Sequence, residues 1–178
     1  MNRAVVVTGG IASGKSTVCG MFGELGLRVG SADEVAGEVF GDDRVQEFLR
    51  KELGEGDLRE LARGRMGDVE FRRRLNGLMH PLIWARLCGL DVDVIEVPLL
   101  VEAGLVSAFG RVLVCECPVE VVLERLVKRL GDGEVAKRLV GSQVGIGVRR
   151  VFGDEVIRTD EGMDSVRTVV RTLANLWF

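Results

Sequence analysis

Apolar segments alternate along this chain with segments whose apolar residues recur at the spacing of a helix. The apolar segments predict strands at residues 4–7, 27–29, 92–97, 111–116 and 155–157. The segment after the first strand has a helical pattern, with apolar residues at Val18, Met21, Phe22 and Leu25. Strands that alternate with helices form parallel sheets. We therefore expect an α/β fold, with a three-layer, doubly wound parallel sheet of about five strands.

The segment 57–90 has helical periodicity and no strand pattern. Its apolar face consists of Phe71, Leu75, Leu78 and Leu82. Pro81 interrupts this pattern and predicts a kink or the start of a new helix. We therefore expect a helical insertion between the second and third strands, within a single domain that spans residues 1–178.

A second helical region covers residues 118–150. It predicts two helices joined by a glycine-containing turn at 131–133. Gly145 and Gly147 follow the second helix and predict a weakly ordered segment.

The stretch 9–17 reads G-G-I-A-S-G-K-S-T and matches the phosphate-binding pattern G-x-x-x-x-G-K-[ST]. Glycines let consecutive backbone N–H groups approach phosphate oxygens, and the helix that follows points the positive end of its dipole at them. Lys15 can reach the β- and γ-phosphates, and the Ser16 hydroxyl can bind Mg²⁺. The loop predicts a nucleotide site but leaves the nucleotide and the acceptor open.

Two carboxylates follow strands at the edge of the sheet where this loop is expected. Asp33 lies in the first turn of a helix whose predicted N-cap is Ser31. It is a candidate base for phosphoryl transfer, or equally a first-turn acid that interacts with the helix dipole. Glu96 lies near the end of the third strand. It could hold a water on Mg²⁺, or simply be a partly exposed carboxylate.

Three arginines predict a lid over the loop. Arg125 and Arg129 are four residues apart and share a helix face, and Arg138 lies beyond the glycine turn. Two helical arms that carry arginine suit a lid that closes over transferring phosphates, and the alternative is a solvated amphipathic face. His80 is the only histidine and precedes Pro81, so capping a helix is favoured over catalysis.

Composition excludes several classes of protein. The formal net charge of -3 gives no support for a nucleic-acid partner. No apolar run approaches the length of a membrane span, and the chain enters its first strand directly, so we expect a cytoplasmic protein without a membrane partner. Cys115 and Cys117 lack the spacing of a zinc site and are expected to be buried, reduced thiols.

Taken in order, these motifs resemble the dephospho-coenzyme A kinase family. Its motifs T-G-G-I-x-S-G-K-S-T, D-A-D, L-N-x-x-x-H-P, D-V-P-L-L-x-E and A-D-x-V-I are similar to residues 8–17, 31–33, 75–81, 96–102 and 153–157. Its lid pattern, R-x-x-x-R followed by R-x-x-x-x-Q, is similar to Arg125, Arg129, Arg138 and Gln143. The similarity covers nearly the whole chain.

The resemblance implies transfer of the γ-phosphate of ATP to the ribose 3′-hydroxyl of dephospho-coenzyme A, with Mg²⁺. It implies that Asp33 orients or deprotonates that hydroxyl, while Lys15, Arg129 and Arg138 stabilise charge on the phosphoryl group. The insertion 57–90 would bind the acceptor, and residues 118–150 would form the lid.

The resemblance also implies which residues contact each ligand. The ATP-binding residues would be Gly10, Ile11, Ala12, Ser13, Gly14, Lys15, Ser16, Thr17 and Arg138. The acceptor-binding residues would be Asp33, His80, Pro98, Leu99, Leu100, Glu102 and Arg125. Mg²⁺ would be held by Ser16 and, through a water, by Glu96.

Two departures keep other functions open. Ser31 stands where the family has the first aspartate of D-A-D, and Gly145 and Gly147 stand where it has helix formers. These departures suggest a nucleotide-binding module that no longer turns over as one alternative. Another kinase, of the nucleoside monophosphate type, is the second alternative.

Overall fold

The computed structural model describes residues 2–178, and in this range it contains one five-stranded sheet. The strands are β1 (Asn2–Gly9), β2 (Val29–Ser31), β3 (Val94–Glu96), β4 (Phe109–Glu116) and β5 (Glu155–Arg158). Neighbouring strands are parallel, in the order β2-β3-β1-β4-β5. The predicted parallel α/β sheet is confirmed.

Helices connect the strands. They are α1 (Lys15–Glu24), α2 (Ala32–Phe40), α3 (Asp43–Leu53), α4 (Leu58–Arg65), α5 (Val69–Gly89), α6 (Val119–Leu130), α7 (Gly133–Gly141), α8 (Ile146–Val151) and α9 (Met163–Trp177). A short 3-10 helix, Val106–Ala108, precedes β4.

The chain divides into two compact units. The first consists of the chain up to Ser31 together with Asp91–Phe178, and it contains the whole sheet. The second, Ala32–Leu90, contains α2 to α5. The segment 57–90, predicted as a helical insertion, lies within the second unit, where α2 and α3 both pack on α5.

Two apolar clusters position the elements of the first unit. In the larger cluster, Val5 and Val7 of β1 pack with Phe22 of α1 and Val170 of α9. Alternate side chains of a strand face the same side of its sheet, so Val5 and Val7 lie on one face. Helices α1 and α9 pack on that face. The smaller cluster joins α6 and α7 through Val122, Leu126 and Ala136, with Ile11 and Ala12 packed against it. This second cluster places α6 and α7 beside the loop that follows β1.

Aromatic rings and arginines stabilise the second unit. The Phe48 and Phe71 rings stack with their centroids 6.1 Å apart. The Arg74 guanidinium lies 5.2 Å from the Phe48 centroid, and that of Arg65 lies 5.3 Å from the Phe71 centroid. Contacts of this kind at an exposed site contribute about 0.5–1 kcal/mol each. Part of the arginine-rich face of this unit therefore covers aromatic surface.

At Pro81 the structure excludes one of the two predicted outcomes, the start of a new helix. No new helix begins there, because α5 continues through Pro81 to Gly89. Proline removes a backbone donor from a helix interior. Here Phe71 and Leu75 are buried before the proline and Leu87 is buried after it. Packing on both sides keeps the helix continuous.

The second strand also lies later than predicted, at Val29–Ser31 instead of residues 27–29. The Arg28 carbonyl accepts hydrogen bonds from the backbone N–H groups of Asp93 and Val94, and the strand pairing begins only at Val29. Ser31 is consequently the last residue of β2, and α2 begins directly at Ala32.

The buried thiols agree with the sequence analysis. Cys115 and Cys117 are free and buried. Cys19 is also buried, and burial raises the pKa of its thiol to about 12. The Cys19 thiol is therefore protonated at neutral pH. Separately, no helix within residues 2–178 combines the length and the apolar character that crossing a lipid bilayer requires.

Asp93 gives the first unit a pH-dependent contribution to stability. Its carboxylate accepts hydrogen bonds from Nε and Nη2 of Arg28 and from the Arg28 backbone N–H, and these bonds lower its pKa to about 2. A carboxyl whose pKa is lower in the folded state stabilises the fold above its ordinary pKa and loses that effect as pH falls toward the lowered value. We expect Asp93→Asn to reduce the urea midpoint at neutral pH, and the difference from the unsubstituted protein to shrink between about pH 4 and about pH 2.

Asp91→Asn is the matched control. Asp91 pairs with the same guanidinium, but its side chain is 89% exposed. Its loss should change the urea midpoint much less. A loss in Asp93→Asn that does not depend on pH, or equal losses in both variants, would contradict this assignment.

Candidate active site in the phosphate-binding loop

The loop after β1 has a backbone conformation that requires small residues. Gly9 has a φ of 152°, and a Cβ placed there would lie 2.2 Å from the Cys115 carbonyl oxygen of β4. Ala12 and Gly14 also have positive φ, at 55° and 87°, and Gly14 is the N-cap of α1. The loop therefore depends on glycine in two ways. Gly9 allows the close approach to β4, and Gly14 allows a left-handed backbone conformation where α1 begins.

Two side chains from other elements orient the peptide groups of this loop. Arg125 Nη1 donates to the Ala12 carbonyl at 3.1 Å, and Thr159 Oγ1 donates to the Ser13 carbonyl at 2.7 Å. Arg125 Nη2 also donates to the Thr159 carbonyl at 2.8 Å, which ties the two supports together. Since the C=O and N–H of a peptide point in opposite directions, the Gly14 N–H points away from Thr159. The loop is thus arranged to present N–H groups to an anion.

Lys15 begins α1 with its side chain buried at 8% exposure. Its Nζ donates to the Gly10 carbonyl at 2.9 Å, across the loop. The first-turn N–H groups of a helix have no partner within the helix. The ammonium of Lys15 and the N-terminus of α1 therefore create positive potential at the same point.

Ser16 and Glu96, which the sequence analysis assigned to Mg²⁺, are in direct contact. Ser16 Oγ donates to Glu96 Oε1 at 3.0 Å, which joins α1 to the end of β3. Residues 2–178 contain no group of three or more Asp, Glu, His or Cys side chains suited to a metal. Mg²⁺ keeps several waters and often takes only one or two protein ligands beside phosphate oxygens. The two oxygen donors fit such an ion.

The segment after α7 is held against the loop. Gln143 Oε1 accepts from the Ile11 N–H at 2.8 Å. Glu102 Oε1 accepts from the Val144 N–H at 3.2 Å and from Arg149 Nη2 at 2.6 Å. These bonds explain why the stretch predicted to be weakly ordered instead leads into α8, with Gly147 inside that helix.

The two other arginines predicted to belong to a lid have an environment different from that of Arg125. Arg129 and Arg138 are exposed, and within the described part of the chain neither side chain makes a hydrogen bond or an ion pair. Arg125, predicted to bind the acceptor, donates to the Ala12 and Thr159 carbonyls. Arg125 and Arg129, which were predicted to share a helix face, therefore have different surroundings.

The P-L-L segment follows β3. The Pro98 carbonyl accepts from Thr8 Oγ1 at 3.4 Å. Leu99 is 48% exposed, whereas the Leu100 side chain is fully buried. Of these two leucines, Leu99 offers its side chain to a ligand.

Asp33 and His80 belong to the second unit. Asp33 lies in the first turn of α2, two residues after the end of β2, and its side chain is exposed. His80 is an exposed residue inside α5. His80 therefore does not cap a helix, since α5 begins at Val69 and continues past it.

Comparison with known proteins identifies the family. The family model of dephospho-CoA kinase matches residues 3–165. The chain belongs to the dephospho-CoA kinase family. A dephospho-CoA kinase of Methylococcus capsulatus is 35% identical over 86% of this chain and 85% of that protein. The resemblance inferred from the motifs is confirmed.

Solved structures are similar over nearly the whole chain. A crystal structure of a Thermus thermophilus protein has a TM-score of 0.80 at 25% identity, covering 99% of both chains. A dephospho-CoA kinase from Campylobacter jejuni has a TM-score of 0.66 at 23% identity, covering 99% of this chain and 97% of that one. The second similarity supports the shared fold.

Sequence reasoning missed two residues that shape the site of this kinase-family chain. Thr159 holds the Ser13 carbonyl from the end of β5, and Arg149 is buried beside Gly10. Both act through contacts with residues far away in sequence, so no local spacing marked them. The only signal was the arginine excess around 125–150.

Gly9→Ala tests the requirement for close approach at the start of the loop. The new Cβ would clash with the Cys115 carbonyl, which is backbone and cannot move without shifting β4. We expect the free energy of unfolding to fall by about 2 kcal/mol or more, measured by denaturant unfolding, with loss of ATP binding.

Gly20→Ala in α1 is the matched control. A Cβ at Gly20 meets no atom within 4 Å, so the change should stabilise the helix by about 0.5–1 kcal/mol and leave ATP binding intact. Wild-type stability in Gly9→Ala would show that the loop tolerates a side chain there.

Proposed function

We propose that this protein transfers the γ-phosphate of ATP to the ribose 3′-hydroxyl of dephospho-coenzyme A, giving coenzyme A and ADP. This is the last step of coenzyme A synthesis. The observation that carries the proposal is a complete phosphate-binding loop in a chain that the dephospho-CoA kinase model matches over residues 3–165. A cytoplasmic location stays a prediction.

The donor half of the site is built from the first unit. Backbone N–H groups of Gly14 and of the first turn of α1 would bind the β-phosphate, and Lys15 would leave the Gly10 carbonyl to bridge the β- and γ-phosphates. Ser16 would hold Mg²⁺ directly and Glu96 through a water. The ion, when bound, neutralises charge on the phosphates.

The proposed base of the transfer is Asp33, which belongs to the second unit. Asp33 would accept the proton of the 3′-hydroxyl as that oxygen attacks the γ-phosphorus. The bond between the γ-phosphorus and the β,γ-bridging oxygen breaks, and ADP leaves with that oxygen. Arg129 and Arg138 are exposed with undonated N–H groups, so they are available to the transferring phosphoryl group. The other proposed acceptor contacts are His80, Pro98, Leu99, Leu100, Glu102 and Arg125.

Release of ADP tests this function directly. The protein is incubated with Mg-ATP and with dephospho-coenzyme A, its 3′-deoxy analogue, or a panel of nucleoside monophosphates. We expect rapid ADP release only with dephospho-coenzyme A, and a product whose phosphorus NMR signal shows a 3′-phosphomonoester. Faster ADP release with a nucleoside monophosphate would favour a kinase of the nucleoside monophosphate type. ATP binding without turnover on any acceptor would favour the inactive module.

Asp33→Asn tests the proposed base. The amide keeps the shape of the side chain but cannot take the proton, so we expect kcat to fall by about 10²–10⁴-fold while ATP affinity stays unchanged. Asp164→Asn is the control, because Asp164 is likewise an exposed first-turn acid, on α9. Near-normal kcat in Asp33→Asn would remove Asp33 from this role, and an equal loss in both variants would indicate a general effect on helix stability.

A further inference from the structure

A cavity of about 190 Å³ lies beside the phosphate-binding loop, within the first unit. Its walls are largely apolar and come from the end of β4, α6, α7 and α8. Polar atoms enter it at few points, among them Ser13 and Arg149. A mainly apolar cavity with a few convergent polar groups is the usual form of a ligand site.

Arg149 is a buried cation whose hydrogen-bonding capacity is largely unused. The residue is 5% exposed. Its Nη2 donates to Glu102, but Nε is buried without a hydrogen-bond partner among the described residues. A buried N–H group of a charged residue that has no hydrogen-bond acceptor costs folding free energy, so this Nε atom calls for an explanation. An anionic ligand that accepts these hydrogen bonds would supply it.

The position of Arg149 indicates which anion. A Cβ placed on Gly10 would lie 3.2 Å from Arg149 Nη1, so the guanidinium is adjacent to the second residue of the loop. Ser13, on the loop itself, also lines the cavity, and its hydroxyl is buried without a hydrogen-bond partner among the described residues. Both undonated groups therefore border the same loop that binds phosphate.

Glu102 holds the guanidinium in this position. One oxygen, Oε1, accepts from Arg149 Nη2 and from the Val144 N–H, which links the side chain to the segment that caps Ile11 through Gln143. Burial acts to raise the pKa of the Glu102 carboxyl. Hydrogen bonds from its own backbone N–H, Arg149 and Val144 outweigh that effect and keep the pKa below its ordinary value. The Glu102 carboxyl is therefore ionised at neutral pH.

We propose that Arg149 contacts the γ-phosphoryl group of the bound nucleotide through its undonated N–H groups, and that Glu102 is a positioning residue that acts through Arg149. This inference rests on the proposed phosphoryl transfer. Besides the acceptor contact proposed above, it gives Glu102 the task of holding Arg149 in place. Arg129 and Arg138 are exposed. Arg149 supplies a third guanidinium, which is already held in place before the nucleotide binds.

Nucleotide binding without acceptor tests the contact with the γ-phosphate. The affinities of Mg-ADP and of the β,γ-imido analogue of Mg-ATP are measured by calorimetry for the unsubstituted protein and for Arg149→Gln. We expect the affinity for the analogue to fall by about tenfold or more and that for ADP to change by less than about twofold. Equal losses for both nucleotides would mean that Arg149 only supports the loop, and no loss for either would also overturn the contact.

Turnover provides the second readout. With dephospho-coenzyme A as acceptor, Arg149→Gln should lower kcat by about 10²-fold, and Arg149→Lys, which keeps the charge but loses the planar fork, should lower it less. Glu102→Gln should lower kcat by itself but add less than about twofold in the Arg149→Gln background, because its effect passes through Arg149. Independent, multiplicative losses would contradict the positioning role.

Two controls keep the outcomes separate. Arg171→Gln changes an exposed arginine of α9 and should alter neither affinity nor kcat. If Arg149→Gln does not fold, Arg149→Lys decides: the proposal requires a lower kcat with unchanged ADP affinity, and a normal kcat overturns it. If the unsubstituted protein releases no ADP with dephospho-coenzyme A, the proposed function fails, while the two nucleotide affinities still test Arg149.

Discussion

The donation of hydrogen bonds to two carbonyl groups of the phosphate-binding loop is the interaction on which the site depends. Arg125 holds the Ala12 carbonyl and Thr159 holds the Ser13 carbonyl. With both carbonyls directed away, the loop can offer N–H groups to an anion before any ligand is present, so binding need not reorganise the backbone. Larger elements of the fold position the loop. Strand β4 packs closely against Gly9, and the α6–α7 cluster packs against Ile11 and Ala12.

The sheet and the loop could be predicted because their signals are local. The apolar strands and the G-x-x-x-x-G-K-[ST] spacing need no information from elsewhere in the chain. The course of α5 through Pro81 was not predictable in this way, because it depends on burial of residues on both sides of the proline. The same holds for Arg149, because its buried guanidinium pairs with Glu102, a residue 47 positions earlier.

Arginines around the loop perform different tasks that residue type alone does not separate. Arg125 is part of the scaffold, since its two Nη groups donate to backbone carbonyls. Arg129 and Arg138 are exposed and adaptable. Arg149 is buried and fixed by a carboxylate. A preformed cation costs little reorganisation when charge develops, whereas exposed arginines must be recruited by closure.

A crystal structure of the protein with Mg-ADP, aluminium fluoride and dephospho-coenzyme A would test the account most directly, because the fluoride stands in for the phosphoryl group in transfer. The account predicts the β-phosphate on the N–H groups of Gly14 and the first turn of α1, Lys15 and Arg149 on the fluoride, and the ribose 3′-hydroxyl between the fluoride and Asp33. A ribose bound away from Asp33, or a fluoride with no guanidinium of this chain in contact, would contradict it.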